Sequence, residues 1–563
     1  MRAAVQKLQL GEGGAIAAFV VPVLVVIVVF PLTFILLQAI FPNLGAGSLA
    51  EPFSRLADTF SDPRIGRWTL NTIMLGSAVV FTAALVAVPL GVLRGLFRVP
   101  LAGLWDVMFL IPFAIPPYIA ALGWIMTLQP RGYLDQMTGI NLGQFLFSFW
   151  GVVFVMTLNV FPVVYFAVSR TMATIGGRYV EAARVAGANP TIAFFRITLP
   201  LATPAIAASL LLVFAMAIEE FGTPAALAAR SGFLVLVTGI EQKLSDYPID
   251  LPGAALLSTI LVGLAMCAFA LQAWVVTRRD FRTLSGKPKT GDLTPLGNWT
   301  VPVVGFFALI AFLGAIVPVA AVFLTASTRT ISGGLAWDNF STIHFEAILA
   351  NRGGAMQALQ TSLGLGLTAA ALTGIIGTLT AYVVVRHKSL ASRMLDFLTL
   401  APNTIPGIVV AVGLILAWTQ PWLPFTPYNT IWVLVLAYCC LLLPYPVRYA
   451  NAALRQIGTS LEDAARVSGA NAFVAFVRII VPLISPSVIA AMLLVFAVAA
   501  RELVATILLA PIGTRTVALF IWRQFEQGSV GLGMAMSTIA IAITMTIPIL
   551  VTLWMQRADN QPG

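Results

Sequence analysis

Apolar residues in this chain form long stretches separated by short polar connections. Twelve such stretches occur, and each is close to or above the roughly 20 residues that a helix needs to cross a bilayer. Their approximate bounds are 14–41, 70–94, 103–129, 147–170, 199–226, 250–277, 300–326, 358–385, 394–419, 429–450, 481–510 and 530–555. The pattern predicts an all-α integral membrane protein with about twelve transmembrane helices.

The first stretch follows Arg2 and Lys7, as the apolar core of a signal peptide follows its basic residues. Its apolar run, Ala15 to Ile40, is longer than the roughly 7–15 residues of a cleavable core. We therefore expect a membrane anchor that is retained.

Composition supports an integral membrane protein. Of 563 residues, 59% are apolar and 10% are charged, whereas a soluble domain carries roughly 25% charged residues, and the mean hydropathy is +0.95. The net charge of +10 is dispersed over many loops, which argues against a nucleic-acid partner. Three cysteines without CxxC spacing and two distant histidines, His344 and His387, give no metal-binding pattern.

One nine-residue segment occurs twice. Residues 181–189 read EAARVAGAN and residues 463–471 read DAARVSGAN, an offset of 282 residues that is close to half of the chain. A duplication of this size predicts two copies of one module. The polar segment 278–298 is the one linker long enough to join them, so the modules are predicted at 1–277 and 299–563.

Basic residues collect in alternate connections, which predicts the orientation. They follow the second, fourth, sixth, eighth and tenth stretches, whereas the intervening connections are mixed in charge. Because short loops rich in lysine and arginine stay in the cytoplasm, both termini are predicted to be cytoplasmic. An even number of stretches separates the repeated segments, so both are predicted on the cytoplasmic face.

We call 178–200 the first repeated loop and 460–482 the second. Each favours a short alanine-rich helix with an acidic start, broken at Gly187 or Gly469. Small alanines leave a surface that another protein can approach, and glycine lets the backbone turn. Alternatively, these small residues pack against the protein's own helices. Two copies in register, each followed by Ile-x-(Leu/Val)-Pro, favour docking of a partner with two equivalent sites.

The pattern Glu-Ala-Ala, a glycine six residues after the glutamate, then Ile-x-Leu-Pro resembles the EAA loop of the membrane subunits of bacterial binding-protein-dependent ABC importers. The first loop matches fully, whereas the second has Asp463 for the glutamate and Val481 for the leucine. The resemblance implies a type I importer fold in which both loops are coupling helices that transmit the closure of an ATPase. The coupling residues that it implies are Glu181, Ala182, Ala183, Gly187, Asp463, Ala464, Ala465 and Gly469.

The resemblance extends over most of both halves. The segment IPFAIP at 111–116 recurs as APNTIP at 401–406, and LNT at 70–72 recurs as LQT at 359–361. One polypeptide that holds both permease domains resembles the iron(III) and thiamine permeases. This resemblance implies an ATPase dimer on the cytoplasmic side and a solute-binding protein on the outer side.

The chain itself has no motif for ATP hydrolysis. Its one Gly-Lys pair, at 286–287, is followed by proline, so no Walker A phosphate-binding loop is present. We therefore expect a transport subunit that is not an enzyme, with no cofactor, no metal site and a separate ATPase partner.

Charged residues occur at matching places within two predicted stretches. Glu219 and Glu220 lie near the end of the fifth, and the repeat offset places Arg501 and Glu502 at the same point of the eleventh. Such charges cost about 2.5 kcal/mol or more at mid-bilayer and usually face a cavity or a partner. Two interpretations stay open: a lining of the translocation path in which Glu219 or Glu220 faces Arg501, or a structural ion pair near the outer end.

Prolines punctuate the third stretch of each half, at positions 112, 116, 117, 402 and 406. Proline frees a backbone carbonyl group, which a membrane protein tolerates only where another group satisfies it. These positions predict either hinges or pore-lining sites, or simple kinks that fit a helix to its neighbours.

The leading hypothesis is a permease in the bacterial inner membrane that moves cargo inward by alternating access. The fused architecture and the segment EFGTP at 220–224 resemble the ferric-iron permeases most, with thiamine, phosphonate and polyamine cargo as alternatives. An ion-coupled secondary transporter is the competing class, but its repeated cytoplasmic motif would lie between the second and third stretches of each half. A membrane-embedded enzyme would need a cluster of catalytic groups that this sequence does not offer.

Overall fold

The computed structural model describes residues 13–185, 187–228, 231–277, 293–387 and 390–559, and for some helical residues, including 176–184, only the backbone. Most of the predicted linker, up to 292, lies outside the described residues. Two short strands, Phe97–Arg98 and Thr294–Pro295, pair in parallel. Apart from these strands and one isolated bridge between Thr328 and Phe340, the regular structure of the described residues is helical, which confirms the predicted fold class.

The two halves contain matching series of α-helices. Helices α1 to α14 are, in order, Gly13–Leu24, Phe30–Ile40, Ser54–Ser61, Pro63–Leu96, Ala102–Ala114, Pro117–Leu128, Tyr133–Thr138, Gly143–Leu146, Phe149–Val185, Pro190–Ala193, Leu199–Glu219, Gly222–Leu227, Leu236–Ser245 and Leu251–Thr277. Helices α15 to α28 are Thr300–Ala311, Val317–Ala326, Ile343–Leu349, Ala355–Arg386, Leu390–Leu400, Gly407–Trp418, Ile431–Leu442, Pro444–Gln456, Ser460–Val467, Ala472–Ala475, Val481–Ala499, Val504–Leu509, Val517–Glu526 and Val530–Asp559.

Short irregular helical turns repeat as well. Five-residue π-helical turns interrupt the first long helix of each half and precede α11 and α25, at Val25–Val29, Phe194–Thr198, Phe312–Ile316 and Phe476–Ile480. The second and fourth of these begin 282 residues apart, the offset of the repeated loops. The 3-10 turns are Leu44–Ala46, Gly297–Trp299, Trp337–Asn339, Arg352–Gly354 and Ala401–Thr404.

Every predicted stretch is helical, and we number them spans 1 to 12. Among the described residues, eight helical runs are long and apolar enough to cross a membrane, namely Ile16–Ile40, Pro63–Leu96, Phe149–Ile175, Thr191–Glu219, Leu251–Thr277, Gly297–Ala326, Arg352–Arg386 and Phe473–Ala499. Spans 3, 9 and 10 are helix pairs bent by 98°, 112° and 43°, which brings the number to eleven if each pair is one span. Span 12 lies in α28, whose apolar part is Val530–Thr546.

Span 3 breaks at its prolines. Helix α5 ends at Ala114 and α6 begins at Pro117, because proline cannot donate the backbone hydrogen bond that a continuous helix needs. The Asn159 side chain donates to the carbonyl oxygens of Pro112, at 2.8 Å, and Ile115, at 3.5 Å. These bonds give hydrogen-bond donors to carbonyl groups that lack a backbone partner at the break, as the interior of a membrane requires. The prolines therefore mark a break of the helix, with a bend of 98°.

The broken span 3 crosses the bundle instead of turning back. Its contacts with α9 move steadily along that helix, and in order they are Asp106 with Tyr165, Pro112 with Asn159, and Trp124 with Phe154. A re-entrant loop would reverse this progression. Span 3 therefore counts as one crossing, and the alternation of loops between two faces is kept.

The first span of each half packs against the other half. An added Cβ atom on Gly123 of α6 would lie 2.7 Å from the carbonyl oxygen of Pro318, and Gly413 of α20 has the same relation to Pro31. Only glycine permits such close approach of two backbones. Ile16 of α1 also packs on a buried cluster of the second half. Span 7 thus packs against span 3 of the first half, and span 1 packs against span 9 of the second half. The two halves share one continuous core.

The structural match between spans 2 and 8 is shifted by one residue from the sequence match. The Oγ1 atom of Thr72 accepts a hydrogen bond from the N–H of Leu236, which begins α13, at 2.8 Å. The Oγ atom of Ser362 accepts from the N–H of Val517, which begins α27, also at 2.8 Å. Thr72 therefore corresponds to Ser362 and not to Thr361. The two buried hydrogen bonds define which residues of spans 2 and 8 are equivalent, whereas the apolar residues alone allow more than one alignment.

Candidate functional site

The first repeated loop includes the last residues of α9, which ends at Val185. Gly187 has a φ of +84°, in the left-handed region, and an added Cβ atom there would meet nothing within 4 Å. The side chain of Asn189 then accepts a hydrogen bond from the N–H of Ile192, at 2.8 Å, and caps the start of α10. The backbone of three predicted coupling residues belongs to α9, and their side chains lie outside the described part of the chain: Glu181, Ala182 and Ala183.

The second repeated loop has the same geometry. Gly469 follows α23 with a φ of +86° and open space around its Cα atom, and Asn471 accepts from the N–H of Val474 at 2.9 Å. Asp463 and Ala464 are exposed, whereas Ala465 is buried. Both loops therefore consist of a helix, a left-handed glycine and an asparagine cap.

An exposed valine stands beside each glycine. Val185 is 92% exposed in the first loop and Val467 is 91% exposed in the second. An apolar side chain that no described residue covers, in two equivalent places, favours docking over packing of the loops against the protein's own helices.

Contacts between loops sort them onto two faces. The connection after span 2 pairs with the segment before span 7 through the two strands, and the end of span 8 contacts the second repeated loop through Arg386 and Glu462. On the opposite face, Tyr133 and Thr325 share a hydrogen bond of 2.7 Å between connections that follow spans 3 and 7. The connections after spans 2 and 6 thus lie on one face, and the second repeated loop lies beside the connection after span 8. That both repeated loops share this face is inferred from the alternation of the spans.

A buried ion pair fastens the second repeated loop to α18. The Arg386 Nε atom lies 2.7 Å from the Glu462 Oε1 atom, with side chains 10% and 8% exposed. The Tyr382 hydroxyl donates to the other carboxylate oxygen at 3.2 Å, and Arg386 also donates to the carbonyl oxygen of Ile457 at 3.2 Å. Sequence reasoning missed this group. The available signal was the doubled acid at 462–463, where the first loop has Val180 before its single glutamate.

Two of the four charged residues in the spans have equivalent structural roles. The Glu220 carboxylate accepts from the N–H of Thr223, at 3.1 Å, at the start of α12. The Glu502 carboxylate accepts from the N–H groups of Ala505 and Thr506, at 3.0 and 3.1 Å, at the start of α26. A carboxylate at a helix N-terminus satisfies free N–H groups and complements the helix dipole. Both glutamates therefore hold the chain where a long helix gives way to a short one.

The other two charged residues differ. Glu219 lines a cavity of about 100 Å³ together with Pro117, Asn159 and Glu220, at the depth of the span 3 break. Arg501 donates a hydrogen bond to the carbonyl oxygen of Ala114, the last residue before that break. Within the described chain, no ion pair joins Arg501 to either glutamate, and a path lined by Glu219, Glu220, Arg501 and Glu502 stays a prediction. Arg501 instead links the second half to the break in the first.

No metal centre emerges from the described ranges. They contain no group of three His, Cys, Asp or Glu side chains placed to hold a metal ion.

The chain matches twice, at residues 87–281 and 371–561, the family described as "Binding-protein-dependent transport system inner membrane component". Together the matches cover more than half of the chain, and each includes one repeated loop.

Several curated proteins are similar. The Ferric transport system permease protein FbpB of Actinobacillus pleuropneumoniae is 27% identical over 439 residues, 76% of this chain and 62% of that protein. The Fe(3+)-transport system permease protein FbpB 2 of Haemophilus influenzae is 26% identical over 477 residues, 83% of this chain and 86% of the relative. The Putative 2-aminoethylphosphonate transport system permease protein PhnV of Salmonella typhimurium is 24% identical over 242 residues, 43% of this chain and 89% of the relative.

The chain spans 62% of the first of these relatives and 65% of the Putative ferric transport system permease protein FbpB 1 of Haemophilus influenzae. The identity is spread over most of this chain, in agreement with the resemblance that the repeated loops carry. With two matched domains and one repeated loop in each, this chain belongs to the family of binding-protein-dependent transport system inner membrane components.

Proposed function

We propose that this chain is the permease of an ABC importer and that its two repeated loops bind a pair of ATPase subunits. One observation carries the proposal: Gly187 and Gly469 turn alike, 282 residues apart, in connections that each follow an even-numbered span. Two equivalent surfaces suit a partner with two equivalent sites. The excess of basic residues in the connections after even-numbered spans assigns them to the cytoplasm, with both termini on the same side.

The transport cycle is alternating access. ATP binding closes the ATPase pair and draws the two repeated loops together, which opens the path outward to cargo delivered by a solute-binding protein. Hydrolysis separates the loops and opens the path inward. The chain contributes the path and the mechanical coupling, and the ATPase supplies the chemistry.

Ferric iron is the cargo that we propose. The supporting observations are the names of the relatives that match most of the chain and the Glu219 and Glu220 carboxylates beside the span 3 break, since carboxylate oxygens suit hard cations. The similarity to a permease named for 2-aminoethylphosphonate over 43% of the chain makes a phosphonate the second candidate cargo.

Tryptophan substitutions at the two glycines test the coupling. In vesicles with the ATPase and the binding protein, Gly187→Trp and Gly469→Trp are expected to abolish ATP-driven uptake, since a side chain is strained at positive φ and obstructs the docking surface. Gly513→Trp is the matched control, because Gly513 has a φ of +86° and nothing within 4 Å but lies on the opposite face. Uptake that survives both loop substitutions and follows a proton gradient would refute the importer proposal.

The cargo is tested separately. Vesicles with the wild-type chain, the ATPase and the binding protein are supplied with radioactive ferric iron or with 2-aminoethylphosphonate, with and without ATP inside. ATP-dependent accumulation of iron alone supports the first candidate. Accumulation of the phosphonate alone would show that the phosphonate, and not iron, is the cargo. The coupling proposal would still hold.

A further inference from the structure

A large cavity opens on the face opposite the repeated loops. Its volume is about 1020 Å³, and its walls come from the turn after α6, the segment after α16, helix α17 and the start of α28. Four basic side chains line it: Arg131, Arg329, Arg352 and His344. None of the residues that line it is an aspartate or a glutamate, although Glu526 lines an adjoining cavity. The lining is therefore cationic without a compensating charge.

The three guanidinium groups are exposed and available. No ion pair or side-chain hydrogen bond engages Arg131, Arg329 or Arg352 within the described chain. The nearby Asp135 carboxylate accepts from the backbone N–H of Arg131, at 2.8 Å, and does not neutralise its side chain. An arginine fork without a carboxylate partner is suited to bidentate binding of an oxyanion.

The wall that carries Arg329 is preorganised. The buried Asn339 side chain donates to the carbonyl oxygens of Thr330 and Gly334, both at 2.8 Å, and accepts from the N–H of Thr330 at 3.1 Å. The Nε2 atom of His344 lies 2.9 Å from the carbonyl oxygen of Thr328. Because a carbonyl can only accept, that nitrogen bears the proton. These bonds hold the segment in one shape before any ligand arrives.

Arginines on this face run against the charge bias of the other loops. In the orientation proposed above, this face is external, where short loops are not enriched in basic residues. A bare cation would be repelled by three like charges around one cavity. The cationic lining thus points to an anionic ligand.

We propose that this outer cavity binds a small oxyanion with two or more negative charges, of the phosphate class. An adjoining cavity of about 420 Å³ shares Gln129, Ile331, Gly528 and Val530 with it and reaches Ala225 of α12. Glu220 caps that helix. The adjoining cavity thus lies beside the short helix that Glu220 caps. The proposal rests on the proposed orientation and goes beyond the proposed cargo.

Inorganic phosphate is the probe. The purified full chain in phosphatidylcholine nanodiscs, without ATPase, binding protein or iron, is titrated with phosphate by calorimetry. Arg329→Gln and Arg352→Gln are each expected to weaken binding about tenfold, as loss of a charged hydrogen bond does. Arg67→Gln is the matched control, because Arg67 is an exposed arginine on the same face, outside the cavity, and it is expected to bind like the wild type.

Absence of phosphate binding, or an equal loss in Arg67→Gln and Arg329→Gln, overturns the proposal. So does normal phosphate binding in the cavity variants together with weaker docking of the binding protein, since the arginines would then serve a protein surface. A repeat in phosphatidylglycerol nanodiscs identifies the source of the phosphate group. Unchanged affinity supports a free anion, and competition by the lipid supports a headgroup in the same site. The phosphate titration measures binding and no transport. A failure of the uptake experiments would therefore not affect its outcome, and the two proposals can fail separately.

Discussion

The two halves of this protein share a backbone and differ in charge. The left-handed glycines, the π-helical turns and the proline breaks recur in both, and Glu220 and Glu502 cap equivalent short helices. Yet Arg501 stands where the first half has Glu219, and Glu462 stands where it has Val180. Duplication preserved the features that shape the chain, while the charged contacts diverged.

This difference makes the halves mechanically unequal. The second repeated loop is fastened to α18 by a buried ion pair, whereas the aligned position of the first loop holds a valine that cannot form one. The second half also reaches across to the first through Arg501. We expect substitutions in the second half to have larger effects than their counterparts in the first.

The largest effect is expected from Arg386→Met. Loss of one partner leaves Glu462 buried without a counter-charge, which costs about 3–5 kcal/mol. The unfolding temperature in detergent and the ATPase activity of the assembled transporter should both fall. Arg393→Met, at an exposed arginine of the same connection, is the control and should resemble the wild type. Glu462→Val added to Arg386→Met should recover most of the stability, because it recreates the valine of the first loop.

Next in size is Arg501→Gln. This change removes a charged hydrogen bond to the Ala114 carbonyl and should lower the free energy of unfolding by about 1.5–3 kcal/mol. Glu219→Gln, at the equivalent position, should leave thermal stability unchanged, since no hydrogen bond of the Glu219 side chain is present in the described chain. Equal thermal shifts in the two variants would contradict the idea that Arg501, unlike Glu219, bridges the halves.

Glu502→Ala and Glu220→Ala compare the two caps. Loss of a helix cap costs about 0.5–2 kcal/mol. The Glu502 carboxylate accepts two backbone N–H groups and the Thr506 hydroxyl, whereas Glu220 accepts one N–H, so Glu502→Ala should be the more destabilising. Urea unfolding of both variants in detergent measures the difference, and the reverse order would show that the caps are not what these glutamates contribute.

The smallest effect concerns the start of span 2. The Arg64 side chain donates hydrogen bonds to Asp62 and lowers the pKa of that carboxyl below its usual range. A lowered folded-state pKa means that the stabilisation is present above the ordinary pKa of about 4 and is lost as pH falls through the folded value. In the second half, Gly354 precedes α18 instead.

Asp62→Asn should therefore remove a contribution of less than about 1 kcal/mol between neutral pH and pH near 4. Thermal melts of the wild type and of Asp62→Asn across that range provide the measurement. A gap between the two melting curves that widens toward acid would contradict this sign, because the contribution must shrink as the carboxylate is protonated.

Much of the architecture could be predicted from the pattern along the chain. Helical spans in a membrane must be long and apolar, so the pattern located the eight to eleven candidate spans of the described residues, and the repeated loops were found because their sequence recurs. The caps at Glu220 and Glu502 could not be foreseen, since a carboxylate within an apolar stretch is equally consistent with a path or an ion pair. The residue register of spans 2 and 8 needed the hydrogen bonds of Thr72 and Ser362.

By itself, the sequence determined the helical class, the duplication and the two loops, because these depend on hydrophobic length and local backbone preference. Tertiary structure alone decided that the first span of each half packs against the other half and that Arg386 forms an ion pair with Glu462. It also decided that Arg501 donates to a carbonyl group 387 residues away in the chain. Such contacts depend on which helix faces lie together. A periodic apolar pattern hardly distinguishes one face of a membrane helix from another, so their partners follow from packing.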